Sequence, residues 1–179
     1  MSSTENIHIL GISGSLRSDS SNTNILNVIA DILPDYVTFK MFEKLDQIHP
    51  FSPGGEENDA VRGLKNDISN AKGVIICTPE YAFGVPGTLK NALDWTVSTG
   101  EFNNKPVSAI STSPLNSGGD KALASLLLTL TALGTKTNDN SSLSIPNIKI
   151  KMNALGKLTD QQTIVELQFQ INNLLELIG

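Results

Sequence analysis

The chain has 179 residues, of which 39% are hydrophobic and 17% charged, with a formal net charge of −5 and an isoelectric point near 4.9. That length suits one domain, residues 1–179, with a core of its own, and the composition excludes a disordered chain. So acidic a sequence lacks the basic stripe of a nucleic-acid binder and has little attraction for anionic lipid. The lone cysteine, Cys77, excludes an internal disulfide and points to a reducing compartment. No basic leader followed by an apolar segment opens the sequence, and no apolar run reaches the roughly 20 residues of a membrane span. The expectation is therefore a cytoplasmic protein with no nucleic-acid or membrane partner.

Short apolar runs alternate with amphipathic stretches of helix length, the pattern of βαβ units. Ile7–Ile12 predicts a first strand, apolar nearly throughout, as suits a strand covered on both faces. Asn22–Leu33 predicts a helix with Ile25, Leu26, Ile29 and Leu33 at helical spacing, ended by Pro34. Val37–Phe42 predicts the second strand, and the proline- and glycine-containing stretch 46–58 a loop. A polar helix over Asn58–Asn70, a buried strand over Gly73–Cys77 and a helix over Pro86–Val97 follow, with Pro86 in the first turn, where its missing N–H is harmless. Val107–Thr112 predicts a strand and Asp120–Leu133 a leucine-rich helix stopped by Gly134. A fifth strand is expected to begin at Thr135–Thr137, although the run from Lys136 to Ser142 has loop composition. Thr159 and Gln162 suggest a capping box for a last helix to Ile178, striped with Ile164, Leu167, Ile171, Leu174 and Leu175. Together these elements predict a doubly wound α/β sheet, whose ligand sites lie beyond the carboxyl ends of the strands.

Two loops fall at that edge. Gly11–Asn22 follows the first strand and opens the first helix, where unpaired N–H groups and the helix dipole attract an anion. Gly14 permits close backbone approach, Ser15, Ser20 and Asn22 offer short donors, and Arg17 adds charge-assisted hydrogen bonds. The set suits a terminal phosphate monoester. The plain alternative is a polar turn in which Ser20 or Ser21 caps the helix. The second loop opens Thr78–Trp95. Two prolines and two glycines fix its backbone, and Tyr81 and Phe83 offer flat apolar surface for a planar ligand or, alternatively, for the core. Backbone N–H groups after Pro79 could meet a ring carbonyl or nitrogen. Trp95, Leu89 and Cys77 are expected in the core.

Other chemistries find no support. The dinucleotide fingerprint lacks its middle glycine, a Walker A lysine is absent, and GISGS breaks the nucleophile-elbow pattern at Ser15. His8 and His49 fall in structural or exposed positions, and no spacing resembles a metal site.

The segments GSLRSDSSN (Gly14–Asn22), TPEYAFGVPGTLKNALDW (Thr78–Trp95) and FNNKPVSAISTSPLNSGGDKAL (Phe102–Leu123) resemble, in order and spacing, the NAD(P)H-dependent FMN reductase family, which includes azo, quinone and chromate reductases. The resemblance implies a flavodoxin-like three-layer fold, with a five-stranded parallel sheet of order 2-1-3-4-5. It implies FMN as cofactor and NADPH or NADH as co-substrate. Ser15, Arg17, Ser20 and Asn22 would hold the phosphate, Pro79, Glu80 and Tyr81 would border the ring, and Ser113, Gly118 and Gly119 would line its other side. Ala82 stands where the family commonly has asparagine, so only its backbone is available, and Leu115–Gly119 lacks the family's extra glycines. A homodimer or homotetramer is implied, with the leucine-rich helix a candidate contact. The implied reaction is hydride transfer from NAD(P)H to FMN and then two-electron reduction of a small acceptor (free flavin, quinone, azo compound or metal oxyanion) in a ping-pong cycle. It needs no catalytic side chain, because the cofactor carries the chemistry. Glu80 is expected to hydrogen-bond within its own loop. The alternatives are a flavodoxin-type electron carrier without turnover and a flavin-free domain with a structural role.

Overall fold

A computed structural model describes residues 6–179. Five parallel strands, β1 (Ile7–Ser13), β2 (Val37–Phe42), β3 (Gly73–Thr78), β4 (Val107–Thr112) and β5 (Ser142–Ile145), form one sheet in the order β2-β1-β3-β4-β5. The central strands β3 and β4 are buried at every position, as their unbroken apolar runs require once helices cover both faces.

Strand alternation sorts the core into two layers. Leu10, Ile12, Val74, Ile76 and Val107 face the helices α2 (Asp59–Asn70), α3 (Gly87–Asp94) and α4 (Asp120–Ala132). Ile9, Ile75, Cys77 and Ile110 face α1 (Ser21–Ile32) and α6 (Gln161–Ile178) on the other side. A four-residue helix, α5 (Ile148–Lys151), links β5 towards α6. Gly11 is glycine because the Phe39 ring of the neighbouring strand occupies its side-chain space; a Cβ there would lie 2.3 Å from Phe39 Cζ. Among the described residues, no helix is long and apolar enough to cross a membrane.

Several boundaries differ from the sequence expectation. The stretch after β2 contains a 3-10 turn, Leu45–Gln47. The helix after Pro86 ends at Asp94, short of Val97; Trp95 still has helical backbone angles and donates its indole N–H to His49 O at 2.8 Å. Lys136 makes only an isolated bridge with Pro106, and the fifth strand starts six residues later, at Ser142. The last helix is capped by Asp160, whose carboxylate accepts from Thr163 N at 2.9 Å. Thr159 instead donates to Lys151 O, and Gln162 reaches Glu166. The stripe is buried at Leu167, Ile171 and Leu174, with Ile164 and Leu175 half-buried beside it.

Candidate functional site

The strand order reverses between β1 and β3, and the loops leaving their carboxyl ends diverge to opposite faces, which opens a crevice. A cleft of about 880 Å³ lies there. The β1–α1 turn, the β3–α3 loop at Pro79–Tyr81, the end of β4 at Thr112–Pro114, and a wall from α5 to Gly156 line it.

The β1–α1 turn is built around Ser20. Its hydroxyl accepts from Asn22 N at 3.2 Å and caps α1, so the plain capping role is real. Gly14 binds inward, donating to Cys77 O at 2.8 Å, and a Cβ on it would press on Leu89 at 2.9 Å. Its close approach is therefore to β3 and α3. Among the described residues, the N–H groups of Leu16, Ser18 and Asp19 find no acceptor. Donors left open beside a helix N-terminus form an anion cradle. Arg17 is exposed and paired with Asp19 at 3.3 Å, so the turn carries a balanced charge.

Asn22 is buried, and its side chain points into the fold. Its Oδ1 accepts from Thr112 Oγ1 at 3.0 Å and from the Cys77 thiol at 3.4 Å, while its Nδ2 donates to Ser20 Oγ at 3.3 Å. It ties the turn to β3 and β4. Cys77 is wholly buried, and burial pushes its thiol pKa far up.

The β3–α3 loop turns back at Tyr81 and Gly84, which exchange two 3.0 Å backbone hydrogen bonds. Between them Ala82 and Phe83 have φ of +49° and +62°. Both central residues are left-handed, as in a type I′ turn, and neither is glycine or asparagine. Strain of this kind gathers at binding sites. Tyr81 is 53% exposed and lines the cleft, whereas Phe83, at 78%, makes no core. The Tyr81 N–H is taken by Gly84; the Glu80 N–H finds no acceptor among the described residues.

Glu80 does not bond within its own loop. Its Oε2 accepts from Lys121 N at 2.9 Å and Ala122 N at 3.0 Å, the first-turn amides of α4. Gly119, at the N-cap of α4, has no side chain to offer, so Glu80 caps the helix from another loop.

Ser113 is buried, held by Ile145 O through its N–H and by Leu115 N through its hydroxyl. Gly118 and Gly119 lie outside the cleft lining. Their φ values of +64° and +82° turn the chain into α4, and a Cβ on Gly118 would collide with Ser144 Oγ at 2.1 Å. Ala82 also lies outside the lining.

Sequence reading missed Asp19, Asn24, Lys149 and the Asn153–Gly156 wall, all of which line the cleft. Asp19 stands between the noted residues and gave a local signal. The wall, Asn-Ala-Leu-Gly, is a turn whose position depends on how β5 and α6 pack, and it gave none.

These features fit FMN. The cleft has the volume of a small-ligand site, open amides and Arg17 at one end suit a phosphate, and Pro79 and Tyr81 at the other suit a flat ring. Fold and crevice thus define a flavodoxin-like α/β protein. Residues 7–149 match the family model described as NADPH-dependent FMN reductase, and the chain belongs to that family. It is an oxidoreductase family that works with FMN and a nicotinamide electron donor. The chain is 28% identical over 177 residues to an NAD(P)H-dependent FMN reductase of Pseudomonas aeruginosa, covering 96% of this chain and 95% of that protein. It is 28% identical over 178 residues to NADH-dependent flavin reductase subunit 2 of Lactobacillus johnsonii, covering 95% and 96%. Among solved structures, the flavoenzyme NAD(P)H:(acceptor) oxidoreductase FerB of Paracoccus denitrificans matches with a TM-score of 0.86 at 26% identity, over 96% of this chain and 97% of that one.

Proposed function

We propose that the cleft holds FMN with its phosphate on the turn from Ser15 to Ser20 and its ring between Pro79–Tyr81 and Thr112–Ser113, and that the chain reduces a small acceptor at the expense of NAD(P)H. The observation that carries this reading is the meeting of the three loops in one cleft of about 880 Å³, with open amide donors at the α1 end. Bound FMN would supply the redox chemistry, taking a hydride from the nucleotide and passing two electrons on.

The residues of the chain do the rest. The Ser18 and Asp19 amides, with the Arg17 guanidinium, bind the phosphate. Asn22 positions that turn against β3 and β4. The Glu80 amide offers a donor to the ring edge, while the Glu80 carboxylate fixes the loop to α4. Nucleotide and acceptor use the same opening beside Tyr81 in turn, which predicts parallel lines in initial-rate plots. Exposed Leu128 on α4 and Leu115 beside the cleft support a homo-oligomer, which light scattering would detect. A cytoplasmic location agrees with the lone reduced thiol of Cys77.

The test is FMN affinity in the Arg17→Ala/Ser20→Ala variant. Charge-assisted hydrogen bonds contribute about 1.5–3 kcal/mol, so the dissociation constant should rise roughly ten- to a hundredfold. An unchanged affinity would place the phosphate elsewhere.

A further inference from the structure

A second cavity, of about 500 Å³, lies along α1 beyond the phosphate turn. Val28, Ile32 and Ile164 give it apolar lining, and Asn24, Asn27, Asp31 and Lys157 supply its polar groups. Asn24 is half-buried and Asn27, Asp31 and Lys157 are exposed, and none of the four side chains has a hydrogen bond or ion pair among the described residues. Asn24, Leu155 and Gly156 line both cavities, so the two meet there. They meet at the phosphate end of the flavin cleft; Pro79 and Tyr81, at the ring end, line only the first.

We propose that this second cavity is an adenosine groove, so that the site takes FAD as well as FMN. The inference rests on the reading that the β1–α1 turn holds the flavin phosphate. FMN ends at that phosphate. FAD continues from it through a second phosphate to ribose and adenine, and the continuation leads past Asn24 into the groove. The turn itself raises no barrier. Arg17 is balanced by Asp19, so its formal charge is zero and a singly charged phosphate diester suits it as well as a dianionic monoester. The groove offers what the added half requires: apolar surface from Val28 and Ile164 for a flat base, amides of Asn24 and Asn27 for ring nitrogens, the Asp31 carboxylate for ribose hydroxyls, and the Lys157 ammonium for the second phosphate. Leu155, at the junction, is 93% exposed and would be covered by the bound dinucleotide.

The test is calorimetric titration of the full chain, stripped of flavin, with FMN and with FAD. FAD should bind within about threefold of FMN. Val28→Trp, which fills the groove, should weaken FAD by roughly tenfold or more and leave FMN within about twofold. FMN binding by the variant shows that it is folded, and Asn27→Trp on the exposed rim serves in its place where Val28→Trp does not fold. Binding of FAD more than about a hundredfold weaker than FMN overturns the proposal, as does an FAD affinity that the filled groove leaves unmoved. Failure of the underlying reading looks different: FMN affinity itself would then be indifferent to Arg17→Ala/Ser20→Ala.

Discussion

Glu80 is the residue whose removal should report most directly on how the site is assembled. Its carboxylate accepts two amides at the start of α4, at 2.9 and 3.0 Å, where Gly119 offers no cap. Losing an N-cap acceptor costs about 1 kcal/mol and up to 2, and a negative charge at a helix N-terminus adds about 0.3–1 kcal/mol. Glu80→Ala removes both contributions and leaves the amide of the buried Ala122 without an acceptor, so a loss of about 2 kcal/mol is expected. Glu80→Gln keeps a carbonyl acceptor and loses only the charge, a loss of roughly 0.5–1 kcal/mol. For a chain of this length, about 2 kcal/mol lowers the melting temperature by roughly 4–8 °C. Urea unfolding of the flavin-free chain, monitored by Trp95 fluorescence and far-ultraviolet dichroism, measures both variants. A Glu80→Ala chain within about 0.5 kcal/mol of the parent would refute the cap, since that is the scatter of ordinary surface substitutions. A Glu80→Gln chain as damaged as Glu80→Ala would locate the effect in charge alone.

The turn at Ala82 and Phe83 stores strain that Asn-Gly would relieve. Replacing Ala82→Asn with Phe83→Gly should raise stability by roughly 1–2 kcal/mol in thermal unfolding, and a lower melting temperature would contradict the left-handed assignment. The Cys77 thiol, with its pKa driven up by burial, should resist a disulfide reagent at pH 8 until denaturant is added. Modification at the rate of a free thiol would show that β3 is open. Asp160, the cap of α6, has its carboxyl pKa held below the usual value of 3.8 by hydrogen bonds from the Thr163 side chain and backbone, with Lys151 adding to the effect. A depressed folded pKa stabilises above the unfolded value, and that stabilisation fades as pH falls through the folded one. The stability gap between the parent and Asp160→Ala should therefore be full at pH 6 and close progressively below about pH 4. A gap that widens on acidification would refute the sign.

The parts of this architecture that were legible share one property: their signal is local. β3 and β4 are buried at every position, so their sequences are apolar without a break; α1 and α2 bury one face, so their apolar residues recur at helical spacing. β5 is short, lies at an edge and is buried only at Ile145; its SLSI alternates polar and apolar for just four residues directly after a loop-like run, so the expectation fell on Thr135–Thr137, five to seven residues too early. The Thr159 capping box failed for a related reason. Asp160 caps as well as threonine, and only the path of the chain out of α5 decides which of two neighbouring side chains faces the helix.

The site divides along the same line, and the division has a physical meaning. Residues that offer a ligand their backbone sit in turns of small polar residues, and such turns are visible as composition: the Gly11–Asn22 loop was found that way. Residues that hold those turns in place act across the sheet. Asn22 binds Cys77 and Thr112, 55 and 90 positions away, and Glu80 binds amides 41 and 42 positions away. No local spacing encodes such partners, so the bonds that Asn22, itself in the cleft lining, makes to β3 and β4 were not legible, and Glu80 looked like a member of its own loop. The two nonetheless make the cleft one object. Asn22 joins the β1–α1 turn to the ends of β3 and β4, and Glu80 joins the β3–α3 loop to the start of α4. Open amides bind an anion well only when their geometry is fixed beforehand, because ordering them on binding would consume the gain. If the cleft holds flavin as proposed, the inward-facing side chains matter to its recognition as much as the amides that would touch it.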